Sequence, residues 1–70
     1  MPELTDRIIR MPELVEMLGL SRSTIYDKLN TKSPRHDAQF PRAIKLGNSA
    51  IGWRQSEINQ WIVDRSNTRQ

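Results

Sequence analysis

Apolar residues in this chain fall in short groups, each closed by turn-forming residues, and the spacing within each group predicts a different element. Arg7-Ile8-Ile9-Arg10 sets two β-branched residues between arginines and predicts a short edge strand. Pro12 suits the first turn of a helix, where a missing N–H costs nothing. Leu14, Val15 and Leu18 mark one apolar face and Gly19 is a natural stop, so a first helix is expected over residues 12–18. Ser21 is a good N-cap, which makes Leu20 and Ile25 the two partners of a hydrophobic staple. Ile25 and Leu29 lie one turn apart on the buried face of this second helix, which Asn30 and then Pro34 end. The tight turn Leu18-Gly19-Leu20-Ser21 between two short helices is the arrangement of a helix-turn-helix.

Residues 31–39 are polar and read as an exposed loop. Ala43-Ile44-Lys45-Leu46 and Ala50-Ile51-Gly52-Trp53-Arg54 then flank Gly47-Asn48-Ser49, predicting a β-hairpin with its tip near Asn48. Gln55 or Ser56 opens a last helix whose Ile58, Trp61 and Ile62 share one face. Phe40, Ile44, Leu46, Ile51, Trp53, Ile58, Trp61 and Ile62 are assigned to the core, because aromatics at such spacings pack far more often than they stack on bases. The expected fold class is mainly α with a small β-hairpin, in the order of a winged helix-turn-helix. One domain is expected over residues 1–70, its core spanning about residues 7–64.

Composition narrows the chemistry. The absence of cysteine removes disulfides, thiolate zinc sites and thiol nucleophiles. His36 is the only histidine and sits in the expected loop beside Asp37, so the two read as a loop pair and not as a metal site. With no activated nucleophile or paired carboxylates in view, no enzyme activity, metal or cofactor is expected. Gly47 and Gly52 are spaced glycines, but the Lys-Ser/Thr of a phosphate-binding loop does not follow them. Apolar runs are short and the N-terminal region has no export pattern, so a cytoplasmic protein without membrane contact is expected.

Charge changes the picture more. The net charge of +3 conceals an acidic start, with Arg7 and Arg10 against four carboxylates, and a basic middle. Residues 21–54 carry Arg22, Lys28, Lys32, Arg35, Arg42, Lys45 and Arg54 against only Asp27 and Asp37, a concentration that would attract a phosphate backbone. In a helix-turn-helix the second helix enters the major groove by its N-terminal residues, here Ser21, Arg22, Ser23, Thr24, Tyr26, Asp27 and Lys28. Arginine can bond guanine bidentately, and hydroxyls and free helix N–H groups suit base edges or phosphate. Tyr26 is open to a second reading as a packed residue, and Asp27 to one in which it orients Arg22 or Lys28. Arg42 and Lys45 lead into the hairpin and Arg54 leaves it, while Gly47, Asn48 and Ser49 form a small polar tip able to sit against backbone or minor groove.

Gly19-Leu20-Ser21-Arg22-Ser23-Thr24-Ile25-Tyr26, Leu29-Asn30, Lys32-Ser33-Pro34-Arg35, Phe40-Pro41, Leu46-Gly47, Gly52-Trp53 and Trp61-Ile62 together resemble the AlpA family of phage regulatory proteins, over roughly residues 7–64. The resemblance implies a MerR-like winged helix-turn-helix DNA-binding domain that regulates prophage genes, integrase genes among them. By position it makes Ser21 to Lys28 the recognition helix and residues 42–54 the wing. The partners so implied are double-stranded DNA and either RNA polymerase or an integrase. Residues after Arg65 do not supply the long dimerisation helix or effector domain of larger MerR-type regulators, so a monomer or weak dimer is expected. Two alternative readings stand beside transcriptional regulation: an excisionase-like factor that bends DNA for recombination, and an interaction module that does not touch DNA.

Overall fold

The computed structural model describes residues 6–67; the ends of the expected 1–70 domain lie outside them. The first described element is the two-residue strand β1 (Ile8–Ile9). Helix α1 (Met11–Leu18) follows, with Pro12 in its first turn, and ends at Gly19, whose φ of 67° lets its N–H reach the Val15 carbonyl. Helix α2 (Arg22–Leu29) starts on Ser21, whose side chain accepts the Thr24 N–H at 3.1 Å. A hydrogen-bonded loop leads to β2 (Ile44–Lys45) and β3 (Ile51–Arg54), and α3 (Gln55–Asn67) completes the described chain.

The result is mainly helical with a small antiparallel sheet in the order β1-β3-β2. Ile8 pairs with Arg54 and Ile9 with Trp53 on one side of β3; Ile44 pairs with Gly52 and Lys45 with Ile51 on the other. The sheet therefore joins the start of the described chain to the hairpin that precedes α3, and the Arg10 side chain reinforces this closure by donating to the Ile51 carbonyl at 2.9 Å. Ile9, Met11, Leu14, Ile25, Phe40, Trp53 and Ile58 form the buried core, drawn from the sheet, the connecting loop and all three helices.

The expected core is corrected at its edge. Leu46 is 43% exposed, because β2 is only two residues long and position 46 falls outside the ladder, over Gly52 and not over the core. Ile44, Ile51, Trp61 and Ile62 are half-buried, not fully enclosed. Ile9 and Met11, which the periodicity left out, belong to the centre.

Gly52 is held small by its neighbours. A Cβ there would lie 2.6 Å from Ile8 Cγ2, 3.1 Å from Leu46 Cδ1 and 3.2 Å from the Ile9 carbonyl oxygen. Gly52→Ala restricts the unfolded chain, which favours folding by about 0.4–1 kcal/mol, but overpacking costs about 1–3 kcal/mol. Net destabilisation of about 1 kcal/mol is expected, read as a lower midpoint in urea.

Candidate nucleic-acid interface

The start of α2 is the most completely built part of the surface. Ser21 Oγ accepts from the Thr24 backbone and lies 2.9 Å from Thr24 Oγ1 and 3.4 Å from Ser23 Oγ, so the three hydroxyls form one cluster. The Ile25 N–H reaches the Ser21 carbonyl. Arg22 and Ser23, as the first two helical residues, then present backbone N–H groups without an acceptor inside the helix, the ordinary condition that makes a helix start receptive to an anion. Arg22, Ser23 and Tyr26 are exposed, Tyr26 by 49%, which favours a contacting over a packed Tyr26.

The other expected residues of this helix are engaged elsewhere. Asp27 accepts weakly from Ser33 Oγ at 3.4 Å and faces Arg35 at 3.8 Å, so it organises the following loop and not Arg22 or Lys28. Lys28 Nζ lies 5.6 Å from the Trp61 ring centroid, directed towards α3. At the hairpin, Arg42, Lys45, Gly47, Asn48 and Ser49 are all exposed. Arg54 is exposed but sits 3.8 Å from Asp6. Among the described residues of α2, the loop and the hairpin, Arg22, Lys32, Arg42 and Lys45 are exposed and form no ion pair.

Two carboxylates that looked unremarkable in the sequence hold this arrangement in place. Asp6 caps α3 from across the sheet: its two oxygens accept from the Ser56 N–H at 3.0 Å and the Ser56 hydroxyl at 2.6 Å. The partners are separated by 50 residues, so no local pattern could announce the cap. Asp37 corrects the reading of His36-Asp37 as an exposed loop pair. His36 is exposed, but Asp37 is half-buried, with Oδ1 accepting the Gln39 N–H and Oδ2 accepting Trp61 Nε1 at 3.3 Å and Arg65 at 2.7 Å. The Asp37 N–H also donates to the last turn of α2 at the Lys28 carbonyl. Asp37 thus ties α2, the loop and α3 together, and Phe40 closes the latch with its ring edge-on to Trp61 at 5.1 Å.

Both carboxyls are held below the usual carboxylate range. For Asp6 the Ser56 hydroxyl and N–H are the main cause, helped by the Arg54 charge. For Asp37 burial pushes upward, but the Gln39 N–H, the Trp61 indole and the charges of Arg65 and Lys28 outweigh it. A carboxyl with a depressed folded pKa contributes stability that is complete above its unfolded value and disappears as pH falls through the folded one. Stability should therefore be flat above about pH 5 and fall below about pH 4. Asp37→Asn should flatten that acid limb in urea titrations at successive pH values; an unchanged limb would show that the latch is not what acid breaks.

Comparison with known proteins shows the family of the chain. The chain is 48% identical over 59 residues to the DNA-binding transcriptional activator AlpA of Escherichia coli (strain K12), covering 84% of each protein. It is 35% identical over 66 residues to the uncharacterized protein ORF88 of Enterobacteria phage P4, covering 93% of this chain and 68% of the phage protein. No solved structure matches it. The family model for the prophage CP4-57 regulatory protein (AlpA) spans residues 7–66, from the flank of β1 to the end of α3. This chain belongs to the AlpA family of prophage regulatory proteins.

Proposed function

We propose that this chain is a sequence-specific DNA-binding transcriptional regulator of a prophage or integrated mobile element, acting on integrase-type genes. In this reading the fold is a winged helix-turn-helix: α2 enters the major groove by its N-terminus and the β2–β3 hairpin flanks it on the sugar-phosphate backbone. The observation that carries the proposal is the start of α2, where exposed Arg22 and Ser23 combine side-chain donors with open backbone N–H groups. Lys32, Arg42 and Lys45, without ion pairs among the described residues, extend the same charge along the loop and hairpin. That an E. coli relative is named a DNA-binding transcriptional activator supports DNA as the ligand and control of transcription as the role.

The test is selection from a random duplex library, followed by titration of fragments flanking the chain's own gene and the nearest integrase gene at several salt concentrations. One enriched motif, present in one of those fragments, is expected. If Arg22, Lys32, Arg42 and Lys45 each neutralise a phosphate, log K should fall against log salt with a slope of about −3.6. Binding without sequence preference would overturn the proposal.

A further inference from the structure

Only one arc of α2 faces outward once the domain is assembled. Arg22, Ser23 and Tyr26 are exposed, Ile25 is buried, and Thr24, Asp27, Lys28 and Leu29 are half-buried. At about 100° of turn per residue, the three exposed positions share an arc of about 100°, with Tyr26 inside it and Arg22 and Ser23 at its two sides. Asn30, just past the helix end, is exposed too, but its Oδ1 accepts the Lys32 N–H at 3.0 Å. The other polar side chains of the helix are turned elsewhere: Thr24 Oγ1 lies 2.9 Å from Ser21 Oγ, Asp27 faces Ser33 and Arg35, and Lys28 faces Trp61. Tyr26 therefore supplies the exposed apolar surface of α2. Its ring meets neither another ring nor a cation among the described residues.

We propose that Tyr26 is a specificity-determining residue that reads the C5-methyl group of a thymine, within about two base pairs of the guanine read by Arg22. This rests on the proposed entry of α2 into the major groove, and adds which base the helix requires there. The base edges of the major groove display a single apolar group, the thymine methyl, which is met by apolar contact where the other edges are met by donors and acceptors. A ring inside the arc that faces the bases leaves water together with that methyl, and the pair gains the free energy of apolar burial. Spacing sets the distance between the two bases. Arg22 and Tyr26 lie one turn apart, about 6 Å along the helix axis, while successive bases of a strand stand about 3.4 Å apart. A helix laid along the groove thus sets the two side chains over bases at most about two steps apart. A tyrosine at the flank of such a helix would give its hydroxyl to a phosphate, a contact without sequence information. Tyr26 lies between Arg22 and Ser23 around the helix, which sets the ring over the bases.

The experiment uses the full 70-residue chain and the motif enriched from a random duplex library. Each thymine of that motif is replaced singly by deoxyuridine, which removes the methyl and keeps every hydrogen-bonding group. Affinities are measured for the wild type, Tyr26→Phe, Tyr26→Ala and Arg22→Ala. At one thymine, within about two base pairs of the guanine whose discrimination Arg22→Ala abolishes, loss of the methyl should weaken wild-type binding about fourfold, the worth of one buried methyl. Tyr26→Phe and Arg22→Ala should keep that ratio, and Tyr26→Ala should bind the thymine and deoxyuridine duplexes equally. Because Tyr26 is exposed, both of its variants should keep the wild-type urea midpoint, which checks the fold. Enrichment of a motif with no methyl dependence at any thymine would overturn the Tyr26 contact and leave α2 as a DNA reader. A methyl preference that survives Tyr26→Ala would overturn it by assigning the methyl to another residue. Equal losses for Tyr26→Phe and Tyr26→Ala on both duplexes would overturn it by placing the hydroxyl on a phosphate. Absence of any enriched motif would overturn it together with the DNA-reading proposal.

Discussion

Replacing Trp53 with alanine should remove a large share of the free energy of folding. Trp53 lies in the central strand, is fully buried, and belongs to the core with Ile9, Leu14, Ile25 and Ile58. Truncating a buried tryptophan costs about 3–5 kcal/mol. A domain of this length has about 3.5–10 kcal/mol in total at the usual stability per residue, so the loss is a large share of what is available. The expected result is a urea transition moved to much lower denaturant, seen by far-UV circular dichroism. Trp53→Phe separates packing from polarity. The Trp53 indole N–H is buried without a hydrogen-bond partner among the described residues, and an unsatisfied buried donor costs about 1–3 kcal/mol. Removing it offsets part of the lost ring contact, so Trp53→Phe should cost less than half as much as Trp53→Ala. Equal costs for the two variants would mean that the N–H is not a liability in the folded protein.

The second large effect concerns DNA. Arg22→Ala should reduce operator affinity about 10- to 100-fold, the roughly 1–3 kcal/mol of a bidentate base contact, while changing binding to unrelated duplexes much less. Lys45→Ala should weaken operator and unrelated DNA alike and reduce the salt slope by about 1, because a phosphate contact carries no sequence information. Lys28→Ala should behave differently from both. Its ammonium is directed to the Trp61 ring, so its removal should lower stability by about 0.5–1 kcal/mol and leave the specificity of DNA binding intact. Titrations of all three variants on operator and scrambled duplexes check the set. If Lys28→Ala relaxes specificity as Arg22→Ala is expected to, then Lys28 must leave Trp61 for the base edges in the complex.

Much of the architecture was readable from local pattern, because the signals are local in cause. Pro12 and Gly19 bracket α1 through backbone geometry, Ser21 starts α2 through its own hydroxyl, and Gly47-Asn48-Ser49 bends the hairpin, each acting within a few residues. The short strand at Ile8–Ile9 also formed at the sheet edge, as two β-branched residues before Pro12 implied. The family, too, was carried by residues that are contiguous or nearly so, and the matched span of 7–66 agrees closely with the span those motifs covered.

Sequence by itself determined the order of the helices and hairpin, the turns that separate them and which segment carries the positive charge, since capping, turn geometry and charge density need only near neighbours. Tertiary structure alone decided how those charges are used. Asp27 turned to Ser33 and Arg35, Lys28 to Trp61, and Arg54 to Asp6, leaving Arg22, Lys32, Arg42 and Lys45 without ion pairs among the described residues. It also decided that Asp6 caps a helix 50 residues away and that Asp37 latches α2 to α3. The physical reason is range: a capping or turn preference is set by adjacent backbone, whereas the partner of a carboxylate, an indole or an ammonium is whatever the fold brings within about 4 Å.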